Sequence, residues 1–113
     1  MGEGEFMLRV HDVAIELVRD VMPLIEAIER RDGDLGRQLR RAVMSTPLNI
    51  AEGSDQCGKR RALHYRIALG SARETWSALR AAEAARYIEA PPVELKSKFD
   101  HVIGTLHRCI YTP

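Results

Sequence analysis

The sequence predicts an all-α protein, an up-down four-helix bundle, and three observations carry that prediction. Apolar residues recur in alternating steps of three and four along almost the whole chain. Clusters of Gly, Pro and Asp cut this pattern into four stretches of bundle length, and no period-two segment is long enough to build a strand. The 113 residues read as a single domain, 1–113, and with aromatic residues at only 5% the core must come from aliphatic packing.

The first helix is expected over about 10–31, after a short flexible N-terminus. Val10, Ala14, Leu17, Val21, Leu24 and Ile28 alternate strictly in steps of four and three, the seam of a helix lying along a bundle core. Pro23 stands off that seam, where it removes one backbone hydrogen bond and bends the helix without breaking its apolar face. RRDGD, from Arg30 to Asp34, supplies the turn, with Gly33 as stop signal and Asp34 as N-cap of the next helix.

The second helix is expected over about 35–52. Leu35, Leu39, Ala42, Thr46 and Asn49 face inward, and Gly53 reads as the glycine just past its end. Pro47 lies well inside this helix, so the Val43 carbonyl loses its usual partner and a kink is expected there. After SDQCGK comes the longest helix, about 59–86, whose core seam is Ala62, Tyr65, Leu69, Ala72, Trp76 and Leu79. A second seam on it, Ile67, Gly70, Glu74, Ser77 and Ala81, is mostly small, which lets another helix approach closely. YIEAPPVE breaks the pattern. Its proline pair opens the fourth helix, about 92–111, with Leu95, Phe99, Val102, Leu106 and Cys109 inward. No internal repeat or low-complexity tract is present.

The net charge of +1 conceals segregation. Between Gly36 and Arg66 stand seven basic residues and two acidic ones, a balance of +5, so the remainder of the chain carries −4. Lys59, Arg66, Arg73 and Arg80 are spaced by seven, forming one stripe on a continuous helix over roughly 30 Å and drifting about 20° per heptad. Arg37 and Arg41 make a second pair one turn apart, and Arg60 and Arg61 stand by the loop between them. Such a stripe fits the phosphates of RNA or DNA, with sequence-tolerant, salt-sensitive binding. The plainer alternative is a solvated face, or arginines paired with Glu74, Glu83 and Glu89. Tyr65 is the one aromatic residue beside the stripe, so base stacking has little support.

Asn49 points inward by the seam count and Glu52 stands three residues on, beyond Pro47, placed either to answer freed backbone groups and cap a neighbouring helix or, for Glu52, simply exposed near a helix end. Glu74 on the small seam is read as a second inward carboxylate that needs an arginine partner. RRAVMSTPLNIAEGSD, Arg40 to Asp55, followed by ALGSARETW, Ala68 to Trp76, resembles a small bacterial four-helix-bundle family. That family includes the proteins encoded in 23S rRNA intervening sequences and the accessory variability determinant (Avd) of diversity-generating retroelements. The likeness runs from about Val10 to Tyr87. Its first block is Arg41, Ala42, Ser45, Pro47, Asn49, Ile50, Ala51, Glu52 and Gly53, and its second is Gly70, Ser71 and Glu74. Thr75 and Trp76 depart from the hydrophobic residue the family often has after that glutamate, and the fourth helix matches only in character.

The resemblance implies a homopentamer with a positively charged surface. In the retroelement branch it also implies a non-catalytic partner of a reverse transcriptase that binds nucleic acid. The expected function is a non-enzymatic oligomeric scaffold binding RNA or DNA through Arg37, Arg41, Lys59, Arg60, Arg66, Arg73 and Arg80. The alternative is a docking module of the intervening-sequence type, whose basic face takes an acidic protein and has no affinity for nucleic acid.

Catalysis finds no motif. The Glu-x-x-His pairs of di-iron bundles are missing, and none of His11, His64, His101 and His107 follows an Arg by the five to seven residues seen in HEPN-type ribonucleases. Each histidine reads as a surface or helix-terminal residue, and Cys57 has no histidine near it in sequence to activate it. No cofactor or metal is expected. Cys57 and Cys109 read as reduced thiols of a cytoplasmic protein, and no segment approaches the roughly 20 apolar residues of a membrane span or the pattern of an export signal.

Overall fold

The computed structural model describes residues 2–112. Four helices follow one another: α1 Glu3–Glu29, α2 Gly33–Ser54, α3 Gly58–Ala84 and α4 Val93–Tyr111. Short connections make chain neighbours antiparallel. Each helix packs on the next and α4 closes on α1, so the four stand at the corners of a square with α1 diagonal to α3. The bundle measures 42 × 25 × 20 Å, its long dimension matching the roughly 40 Å of a 27-residue helix. Among the described residues no helix is long and apolar enough to cross a membrane.

The core follows most of the expected seams, although Leu24, Leu35, Asn49, Ala62 and Cys109 are only half-buried and Ile25, Val43 and Ile50, one position beside the α1 and α2 seams, are buried instead. Val10, Ala14, Leu17, Val21 and Ile28 of α1, Leu39 and Ala42 of α2, Tyr65, Leu69, Ala72 and Leu79 of α3, and Leu95, Phe99, Val102 and Leu106 of α4 are all buried. Trp76 is half-buried against Phe99, with ring centroids 5.2 Å apart. Thr46 and Thr75 are buried too, each hydroxyl donating to the carbonyl four residues back, at 3.2 and 2.7 Å. Among the described residues no buried side-chain polar atom lacks a partner.

Several boundaries differ from the sequence expectation. Residues before Val10 extend α1 back to Glu3, because Met7 continues the seam and meets Cys109 Sγ at 3.7 Å. The N-cap of α2 is Asp32 rather than Asp34, its carboxylate accepting from the Leu35 amide at 3.0 Å. Gly53 lies within α2 and is buried; a Cβ there would stand 2.6 Å from Tyr65 Cε1, so its role is close approach to α3. The helix runs through Pro47 without interruption to Ser54. α3 ends at Ala84. Its last carbonyls are closed by Arg86 N–H to Glu83 O and Tyr87 N–H to Ala82 O, both 2.9 Å, with Arg86 left-handed at φ 66°. The second seam of α3 is covered by no helix of this chain. Ile67, Gly70, Glu74, Ser77 and Ala81 are all exposed, and a Cβ on Gly70 would meet nothing within 4 Å.

Candidate nucleic-acid interface

Charge is sorted by helix. α1 carries seven carboxylates and two arginines, net −5, whereas α3 carries six cations and two carboxylates, net +4. The diagonal arrangement keeps these two helices apart. The acids of α1 are answered instead by their neighbours: Glu29 takes two bonds from Arg40 of α2, at 2.6 and 2.8 Å, and Lys98 of α4 lies 2.6 Å from Asp20 and 3.1 Å from Glu16. The Arg40 hydrogen bond holds the Glu29 carboxyl below its ordinary pKa, and bonding to Asp20 and then Glu16 raises Lys98.

All seven predicted cations are exposed. Arg41, Lys59, Arg60 and Arg73 have no carboxylate partner among the described residues. Arg37 pairs locally with Asp34, and Arg80 with Glu83 at 3.7 Å. Arg66 lies over the ring of Tyr111 of α4, 6.0 Å from its centroid. The stripe Lys59, Arg66, Arg73 and Arg80 does sit on one unbroken helix, but it leans toward α4, while Arg37 and Arg41 line a groove on the opposite flank of α3. Between the two flanks runs the exposed second seam. Tyr65 is only 2% exposed and is therefore closed to a stacking base.

The two motif blocks, some 20 residues apart in the chain, meet across α2 and α3. Ser71 Oγ donates to Ser45 Oγ at 2.8 Å, and the Asn49 amide donates to Ser45 Oγ and to the Ser45 carbonyl, both at 3.0 Å. That leaves Asn49 Oδ1 to accept from His64 Nδ1 at 3.0 Å. His64 is thus half-buried and structural, not the surface residue expected; its place on the α2 flank of α3, beside Tyr65, was the available signal. Gln38 was also unforeseen. Its amide donates to Glu74 at 3.2 Å. Glu52 is exposed, the simpler of its two readings, whereas Glu74, expected inward, is exposed as well and is held by Gln38 rather than by an arginine. Pro47 and Gly53 are buried packing residues, whereas Gly70 faces outward.

The groove on the α2 side has a volume of about 790 Å³ and is lined by Arg37, Gln38, Arg41, Ser45, Ser71 and Glu74 among others. Away from it, large apolar side chains are exposed at the end of the bundle formed by the start of α1, the end of α2 and the start of α3. Leu8 is 69% exposed and Leu48 63%, with Ile15, Met44, Leu63 and Ile67 also open. Ile15, Val18, Met44, Pro47 and Leu48 line an apolar cleft of about 270 Å³ between α1 and α2.

The chain matches the family described as 23S rRNA-intervening sequence protein over residues 7–108. No curated protein and no solved structure matches it. With the match spanning nearly all of the sequence, the chain belongs to that family.

Proposed function

We propose, from membership of the 23S rRNA-intervening sequence protein family as premise, that this protein is a non-enzymatic scaffold binding nucleic acid through the cations of α2 and α3. The observation that carries the reading is the unpaired set Arg41, Lys59, Arg60 and Arg73, exposed on the side of the bundle away from the acidic helix. Folding leaves this charge uncompensated, and a polyanion is the simplest way to compensate it. The contacts are to phosphate, so sequence preference is weak.

The scaffold assembles from copies of the chain. The open apolar end of the bundle supports this, since Leu8, Ile15, Met44 and Leu48 lie on the α1–α2 side and Leu63 and Ile67 on α3. One copy offering α3 to the α1–α2 cleft of the next makes a head-to-tail contact, which gives a ring where the rotation closes; five subunits is the ring the family resemblance supports. Service as the accessory subunit of a reverse transcriptase in a diversity-generating retroelement fits such a ring, as does cytoplasmic residence.

The test is titration of protein of known native mass with mixed-sequence RNA and DNA at several salt concentrations. Binding should weaken linearly on a log-log salt plot. Arg41→Glu and Arg73→Glu should each weaken every nucleic acid alike and lower the slope by about 0.7 for each single-strand phosphate that is no longer neutralised. Absence of binding at low salt overturns the reading and leaves the docking of an acidic protein as the use of this face.

A further inference from the structure

We infer that the α2–α3 groove distinguishes RNA from DNA, with Glu74 accepting a ribose 2′-hydroxyl while Arg37 and Arg41 hold neighbouring phosphates. The inference rests on the nucleic-acid reading above and names the substrate class of that site.

A surface that reads only phosphates treats the two nucleic acids alike, and a carboxylate within it is a liability, because it repels the backbone it is meant to hold. Glu74 is such a carboxylate. It lines the same groove as Arg37 and Arg41, yet Arg41 does not close on it, and no cation among the described residues pairs with it. Its one hydrogen bond comes from the neutral Gln38 amide at 3.2 Å, so most of its acceptor capacity faces the groove. Asp34 lines the groove as well but is engaged by Arg37, so Glu74 is the carboxylate left open beside Arg41, and it suits a ligand that brings hydroxyl donors along with its phosphates.

The 2′-hydroxyl is the group by which RNA differs from DNA, and it both donates and accepts. In the groove it donates to Glu74 and accepts from the Gln38 amide. Ser71 adds to the same floor: its proton is committed to Ser45 Oγ, which leaves its own lone pairs as acceptors. Deoxyribose presents only carbon at that position, and the repulsion between Glu74 and the phosphates then stands without offset. The groove's volume of about 790 Å³ falls within the range of roughly 300–1,000 Å³ found for ligand clefts, room enough for a nucleotide.

The experiment is fluorescence anisotropy on the full chain with single-stranded 20-mers of one mixed sequence in ribo, 2′-deoxy and 2′-O-methyl form, at low and near-physiological salt. The ribo strand should bind about tenfold tighter than the deoxy strand, as expected for one added hydrogen bond to a charged group. The 2′-O-methyl strand, which keeps the acceptor and loses the donor, should bind like the deoxy strand. Glu74→Gln, an exposed substitution that circular dichroism can show to be folded, should lower the ribo-to-deoxy ratio, because a neutral amide oxygen accepts the 2′-hydroxyl more weakly than a carboxylate does, while relief of repulsion strengthens both complexes. Equal binding of ribo and deoxy strands by the unaltered protein, or an unchanged ratio in Glu74→Gln, overturns the inference and leaves nucleic-acid binding standing. Failure of every strand to bind at low salt overturns both.

Discussion

A methyl group added at Gly53 puts the packing of α2 on α3 to a direct test. The Cβ of Gly53→Ala would lie 2.6 and 2.7 Å from Tyr65 Cε1 and Cδ1 and 3.2 Å from His64 Cβ, so against the tyrosine ring it is roughly 1 Å inside carbon–carbon contact distance. Tyr65 is only 2% exposed and its hydroxyl stands 3.4 Å from Ser54 Oγ, so the ring has little room to turn aside. Overpacking of this kind costs about 1–3 kcal/mol. Alanine's better helix propensity returns at most about 1 kcal/mol. Gly70 is the control, because there the methyl meets nothing within 4 Å and only the propensity gain applies. The gap between Gly53→Ala and Gly70→Ala should therefore be about 1–3 kcal/mol, or about 4–12 °C in Tm for a chain of this size. Thermal unfolding followed by circular dichroism measures the gap, with light scattering keeping both variants to one assembly state. A Gly53→Ala melting point equal to or above that of Gly70→Ala would refute the idea that this glycine sets the helix spacing.

Arg86→Gly should raise Tm by about 4–8 °C, because the left-handed φ of 66° costs a side chain about 1–2 kcal/mol and costs glycine little; an unchanged melting curve counts against strain at that turn. Asn49→Leu should lower stability by about 1–3 kcal/mol in urea unfolding, since His64 and Ser45 each lose a partner at a half-buried position. A midpoint equal to that of the unaltered protein would show the polar seam to be dispensable. Burial first, then Arg9 and Arg108, holds His101 below its ordinary pKa of 6.5. The unfolded chain takes up this proton first as pH falls, so stability from His101 is present above about 6.5 and is lost as pH drops through the folded value. His101→Asn should flatten the fall in Tm between about pH 7.5 and 5.5, and an identical slope in both proteins would remove His101 as its source.

The core was legible because aliphatic residues at helical spacing, in helices too polar to cross a membrane, have one explanation, and the seams led directly to Val10, Leu17, Leu39, Leu69, Phe99 and Val102. The ends of helices were harder. Met7 continues the seam of α1 three residues before Val10, but Gly2 and Gly4 beside it read as loop. Asp32 and Asp34 flank Gly33 with equal capping chemistry, and only backbone geometry separates them. Gly53 stood where a terminating glycine belongs, and the approach of Tyr65 that requires it comes from another helix. The small seam of α3 was visible as a pattern. Periodicity does not say whether a face is covered by the same chain, and a helix at the corner of a square turns one side to solvent. Glu74 went astray for that reason.

Net charge is a poor guide to this surface, and the dimensions of the bundle say why. Pairs tie α1 to α2 and α4, and α1 itself lies diagonal to α3 across a bundle 20–25 Å wide. In physiological salt the Debye length is about 8 Å, so charge on the far side of the bundle contributes little at the α3 surface. A phosphate chain approaching α3 therefore meets a local balance of +4, and the chain's total of +1 has almost no bearing on the encounter. Placing the acids on a neighbouring helix would have drawn them into pairs like Glu29–Arg40 and cancelled the field. The square keeps the field by putting the two charged helices on a diagonal, and the order of the helices thereby fixes an electrostatic property that composition alone does not reveal.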